Sequence, residues 1–207
     1  FVYPMSFDEF LTATRQEGLL RIKRNSSPTN PLPEAFYNRL VEAFRSYMLV
    51  GGMPEAVATY TETGSYRYSS DIVNEIIQGY QDDFAKYGAK ANPLLLRQTL
   101  ISVAHQAGAK FVCSRVEGQY RSAEVKVALE MLKDAGLIIP TYHTDANGVP
   151  LGAEINERVV KYLIHDTGVL LGILGIDDDI DERIKEMMVA DSINLVDKGH
   201  VAEMMAG

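Results

Sequence analysis

A P-loop site for hydrolysing a nucleotide requires a glycine-rich loop whose backbone N–H groups hold the phosphates, completed by Lys and by Ser or Thr. This chain of 207 residues contains no G-x-x-x-x-G-K-[ST]. Its glycine-spaced stretch from Gly168 to Gly175 lacks lysine and is apolar between the glycines, so it reads as a packed helix in close contact with a neighbour. His105, His143, His165 and His200 are scattered and form no H-E-x-x-H pattern, which leaves them as surface or capping residues. Cys113, between Val112 and Ser114, has no local partner for nucleophilic chemistry and reads as a small buried apolar residue. Asp177, Asp179 and Asp181 alternate like calcium ligands, but Glu182 stands where an EF-hand loop needs glycine and the closing Glu is missing. That acidic run fits the start of a helix instead. Asp166, just before Thr167-Gly168, is expected to cap a helix. No catalytic, cofactor-binding or metal-ligating residue is assigned.

What remains is recognition. Arg115, Arg121 and Lys126 precede or open a helix expected over Ser122 to Ala135, and they are the candidate contacts to nucleic acid or to a protein partner. The same helix carries Glu124, Glu130 and Asp134 against Lys126 and Lys133. A helix that reads the major groove is ordinarily more basic, so DNA is the less favoured partner.

The elements that position these residues follow from local signals. Ser6 and Glu9 form a capping box opening a helix from Phe7 to about Arg15, after a strand end at Phe1-Val2-Tyr3. Residues 24–33 are a loop by composition. A helix over 34–49 ends at Gly51-Gly52, and Pro54 and Glu55 restart the chain as a helix over 54–62. Further helices are expected over 68–87 and 93–106, the first with a core stripe of Ile72, Ile76, Tyr80, Phe84 and Tyr87. An extended piece from Lys110 to Cys113 then leads to the helix ending at Gly136. Strands from Leu137 to Tyr142 and from Arg158 to Ile164 flank an Asp145-Ala146-Asn147-Gly148 turn. Helix, short strand, helix and hairpin outline a winged helix-turn-helix. Two short helices, Thr167 to Leu174 and Asp179 to Met188, complete the series.

Five segments carry a resemblance: Tyr3-Pro4-Met5-Ser6-Phe7-Asp8-Glu9-Phe10-Leu11, Gly51-Gly52-Met53-Pro54-Glu55-Ala56-Val57, Tyr80-Gln81-Asp82-Asp83, Ala128-Leu129-Glu130-Met131-Leu132-Lys133-Asp134-Ala135-Gly136-Leu137, and His165-Asp166-Thr167-Gly168-Val169-Leu170. In this order the chain resembles the C-terminal half of a bacterial and archaeal family of AAA-type P-loop ATPases. The resemblance implies an ATPase core with Walker motifs before Phe1, binding ATP and magnesium, and often a nuclease-like region after the point where this chain stops. It also makes Tyr80, Asp82 and Asp83 family-typical without giving them a role. The expected fold class is mainly α. A helical lid-like region with the edge of the ATPase core (1–91) precedes a winged helix-turn-helix with a small β-hairpin (92–166) and C-terminal helices (167–207). The expected partners are the ATPase core, a protein, or a second copy. An interaction module of a defence or toxin–antitoxin system is a further alternative.

Composition sets the bounds. The hydrophobic fraction of 46% suits a globular core, and one cysteine excludes an internal disulfide framework. That cysteine usage and the lack of a signal-peptide pattern or long apolar run point to the cytoplasm, with no membrane partner. The formal net charge of −8 argues against strong non-specific nucleic-acid binding. Charge is uneven: residues 93–165 hold eight basic and seven acidic residues, so the acidity lies outside that stretch.

Overall fold

The computed structural model describes residues 3–86, 92–144 and 155–175. Its helices are α1 (Phe7–Ala13), α2 (Glu17–Asn25), α3 (Glu34–Val50), α4 (Pro54–Thr63), α5 (Tyr66–Lys86), α6 (Pro93–His105), α7 (Ser122–Asp134) and α8 (Thr167–Ile173). Strands β1 (Ile138–Thr144) and β2 (Ile155–Ile164) form a two-stranded antiparallel sheet. The expected mainly helical class with a small sheet holds. Two compact units divide the described chain: one runs to Ile76 and resumes at Asp166, and the other runs from Ile77 to His165.

In the first unit α1 begins on the expected capping box. The Ser6 hydroxyl accepts from the Glu9 N–H, and the Glu9 carboxylate accepts from the Ser6 N–H at 2.7 Å. That N–H, joined by the Ser6 hydroxyl donating to the same carboxylate at 2.8 Å, holds the Glu9 carboxyl below its ordinary pKa. The helix does not continue to Arg15 as expected. It stops at Ala13, Arg15 adopts φ +58°, and a second helix follows in a stretch without local helix signals, taking in Arg24 and Asn25, which composition assigns to a loop. Burial explains α2, because Leu19 and Leu20 join Leu11, Leu40 and Ala43 in one core cluster. Lys23 and Arg24, in its last turn, meet the Asp8 carboxylate at 2.6 and 3.2 Å and tie α2 back to α1. The Lys23 hydrogen bond, helped by Arg24, lowers the Asp8 pKa.

Along α5 Ser69, Val73, Ile77 and Phe84 are buried, while Ile72, Ile76 and Tyr80 are half-buried. Phe84 is buried as expected, whereas earlier in the helix Val73 and Ile77 take the core positions expected of Ile72 and Ile76, since the neighbours rather than apolarity alone select the facing side. Tyr87 lies outside the described residues.

In the second unit Pro93 occupies the first turn of α6 and Asn92 accepts from the Leu94 N–H at 2.9 Å. Helix α6 packs on α7 and β2, and α7 packs on β1. The extended piece expected from Lys110 to Cys113 is extended at Val112 (φ −122°, ψ 108°) but belongs to neither β1 nor β2, and Cys113–Arg115 is a short 3-10 turn. The buried Gln106 amide holds the stretch before it instead. Gln106 Oε1 accepts from the Val112 N–H at 2.9 Å, and Gln106 Nε2 donates to the Ser102 hydroxyl and the Val112 carbonyl. Beside it, the Phe111 N–H donates to the Val160 carbonyl of β2 at 2.9 Å.

That bond fixes which way the ladder faces. Val160 pairs with Tyr142, and its carbonyl points away from β1; hydrogen-bonded and non-bonded pairs alternate along an antiparallel ladder. Pro140, opposite Tyr162, therefore turns its N–H-less nitrogen outward. Among the described residues no strand pairs with that outer edge of β1. The turn expected around Asn147, the strand end at Phe1-Val2, and the helix over Asp179 to Met188 lie outside the described residues.

Candidate functional site

Three segments far apart in sequence converge in the first unit. Tyr47 donates its hydroxyl to the Met5 carbonyl at 2.6 Å, and the Met5 N–H donates to the Gly52 carbonyl at 2.6 Å. The Gly52 N–H in turn donates to Asp166 Oδ2 at 2.6 Å, while Asp166 Oδ1 accepts from the Val169 N–H at 3.0 Å. Asp166 caps α8 as expected, and it also reaches across to the corner between α3 and α4. Only 5% of Asp166 is exposed, so its charge is held by oriented N–H groups rather than by water. Burial, followed by the nearby Asp166 and Glu9 carboxylates, raises the Tyr47 pKa to about 12. Tyr47 thus stays protonated as the donor; the stability it adds is complete below the ordinary tyrosine range and is lost as pH rises toward 12.

The glycines of this clasp are present because nothing larger fits. Gly51 ends α3 at φ +77° and ψ −171°, a conformation nearly restricted to glycine, and a Cβ there would strike the Asp166 carboxylate. A Cβ on Gly52 would strike the Met5 backbone, and one on Gly168 would lie 2.6 Å from the Val50 carbonyl. Gly168 therefore has the close-contact role expected of the glycine-spaced helix. Pro54 and Glu55 open α4 as anticipated.

The second unit presents the residues expected to make contacts. Arg115 in the 3-10 turn, Arg121 at the N-cap of α7, and Lys126 on α7 are all exposed. The Arg121 N–H is taken by the Glu124 carboxylate at 2.7 Å, which makes Glu124 a capping group. The face of α7 opposite buried Val125, Ala128, Leu129 and Leu132 holds Val127, 52% exposed, between Lys126 and Glu130. Glu130 pairs with Lys133 and raises its pKa. On the sheet, burial pushes Tyr162 up to about 12, with Tyr142, Glu130 and Cys113 adding to it.

Tyr80 acquires a structural role. Its hydroxyl lies 3.2 Å from His165 Nε2, and His165 Nδ1 lies 3.1 Å from the Leu137 carbonyl. A carbonyl only accepts, so Nδ1 carries a proton; in the neutral ring Nε2 then accepts from Tyr80. Asp82 and Asp83 are exposed and engage Gln78 and Lys86 within their own helix. His105 and His143 are at the surface as expected, whereas His165 is half-buried. Cys113 is also half-buried rather than buried, because the 3-10 turn carries it to the margin of the core. Among the described residues no cluster of three His, Cys, Asp or Glu could hold a metal ion, and no helix is long and apolar enough to cross a membrane. His200 and the run from Asp177 to Glu182 lie outside the described residues.

Asp166, Gly51 and Gly52 stand out in the sequence by residue type and position, whereas Tyr47 and Gln106 do not. Tyr47 lay inside an ordinary helical stretch, and only the fold brings its hydroxyl to Met5.

A family model, described as a domain of unknown function (DUF8612), matches residues 41–180, more than half of the chain. The chain belongs to the DUF8612 family. The match to DUF8612 runs from α3 through α8 and so covers two parts of the clasp, the glycine corner and Asp166. No curated protein and no solved structure matches the chain.

Proposed function

We propose that this DUF8612 chain is a non-catalytic accessory region of an AAA-type ATPase, a lid-like helical part followed by a winged helix that binds a protein partner. The observation that carries the reading is where the resembling motifs fall. Met5, Gly51, Gly52, Asp166 and Gly168, drawn from three of the five motif segments, meet in a clasp with less than a methyl group of free space at three glycines. Residues packed in that way maintain a shape; they leave no volume for a substrate. ATP and magnesium would then be held by a separate core.

The winged-helix part of the reading draws on the order α6, Phe111, 3-10 turn, α7, β1, β2, with Phe111 bonded to the outer side of β2. A protein partner is favoured over DNA because Val127 and Glu130 share the outward face of α7, and neither suits a phosphate backbone. DNA recognition through Arg115, Arg121 and Lys126 is the second reading, supported by their common exposure near the start of α7.

Titrating duplex DNA at low and high salt separates the two. No binding at low salt is the expected result, and binding that weakens steeply with salt would establish the DNA reading. The ATPase part is tested on the product of the complete gene. Binding of ATP with magnesium is expected there, and absence of Walker motifs from that gene would end it.

A further inference from the structure

We infer that the seat of the N-terminal segment and the cap of α8 are one cooperative latch, so that releasing residues 3–5 uncaps α8. Four hydrogen bonds run in series from the Tyr47 hydroxyl through both backbone groups of Met5, across Gly52, and onto Asp166 to the Val169 N–H. Gly52 is the shared link, because its carbonyl faces Met5 while its N–H faces Asp166. The missing Cβ lets the Met5 backbone lie directly on it. If Met5 leaves, Gly52 loses the contact that fixes its orientation, and Asp166 loses a donor that its buried charge needs.

The latch stands on these bonds alone. Its use rests on the ATPase reading: a core attached before Tyr3 would pull on Met5, and α8 would respond.

Amide hydrogen exchange on the whole chain tests the latch without nucleotide, and so separately from that reading. Tyr47→Phe removes the hydroxyl but keeps the ring against Phe7 and Phe10. It is expected to accelerate exchange of the Met5, Gly52 and Val169 amides together, by about fivefold, the worth of one net hydrogen bond. Coupling is reciprocal, so Asp166→Asn must accelerate exchange at Met5. Leu40→Ala provides the contrast, because a core cavity loosens every amide of the first unit alike. Faster exchange at Met5 with Val169 unchanged would overturn the latch, as would a Tyr47→Phe pattern matching that of Leu40→Ala.

Discussion

Asp166 and Arg121 are both charged residues at the start of a helix, and their surroundings are opposite. Asp166 is buried and spends its charge on two backbone N–H groups from different segments. Arg121 is exposed, and the capping at its helix is done by Glu124, which leaves the guanidinium without a structural task at that cap. The contrast is between these two sites rather than between all polar residues of the two units, since buried Gln106 also fixes backbone in the second. In the first unit polar groups fix the chain's path; in the second the named cations face outward, where a partner could meet them.

The comparison breaks most readily at Asp166. Asp166→Ala would leave the Gly52 and Val169 N–H groups buried without their acceptor and should cost about 3 kcal/mol in urea unfolding. A loss below about 1 kcal/mol would put Asp166 in the same class as a surface charge. Glycines sharpen the contrast further. Gly51→Ala should destabilise by about 2 kcal/mol, because the new methyl meets the Asp166 carboxylate in a strained conformation. Gly79→Ala, at an exposed position on α5 with open space around it, should instead stabilise by about 1 kcal/mol. The smallest effect belongs to Arg115, Arg121 and Lys126. Replacing all three by Ala should leave the unfolding midpoint within the range of about 0.5 kcal/mol typical of surface positions, while reducing affinity for any partner that uses them.

Legibility in the sequence followed the range of the interaction. The Ser6–Glu9 box, the Gly51–Pro54 corner and the Asp166 cap are set by neighbours within a few residues, and each appeared where expected. Helix α2 escaped because it has no N-cap side chain; Gln16 makes no capping bond, and burial of Leu19 and Leu20 sustains the helix. The piece before Cys113 is extended at Val112 as expected but belongs to neither β1 nor β2, for a related reason. Its backbone is held by Gln106 and Val160, partners that a local window does not show. The clasp itself was half legible: Gly51, Gly52 and Asp166 stood out as residue types, but their meeting with Met5 and Tyr47 depends on the fold.

Pro140 sets a limit on how other chains can approach the second unit. An open strand edge is a template onto which a foreign strand can add rung by rung, and here the middle rung has no donor to offer. Backbone-to-backbone addition along β1 is therefore discouraged, which guards against indiscriminate association. A chain meeting this edge of β1 would have to engage its side chains rather than extend its ladder.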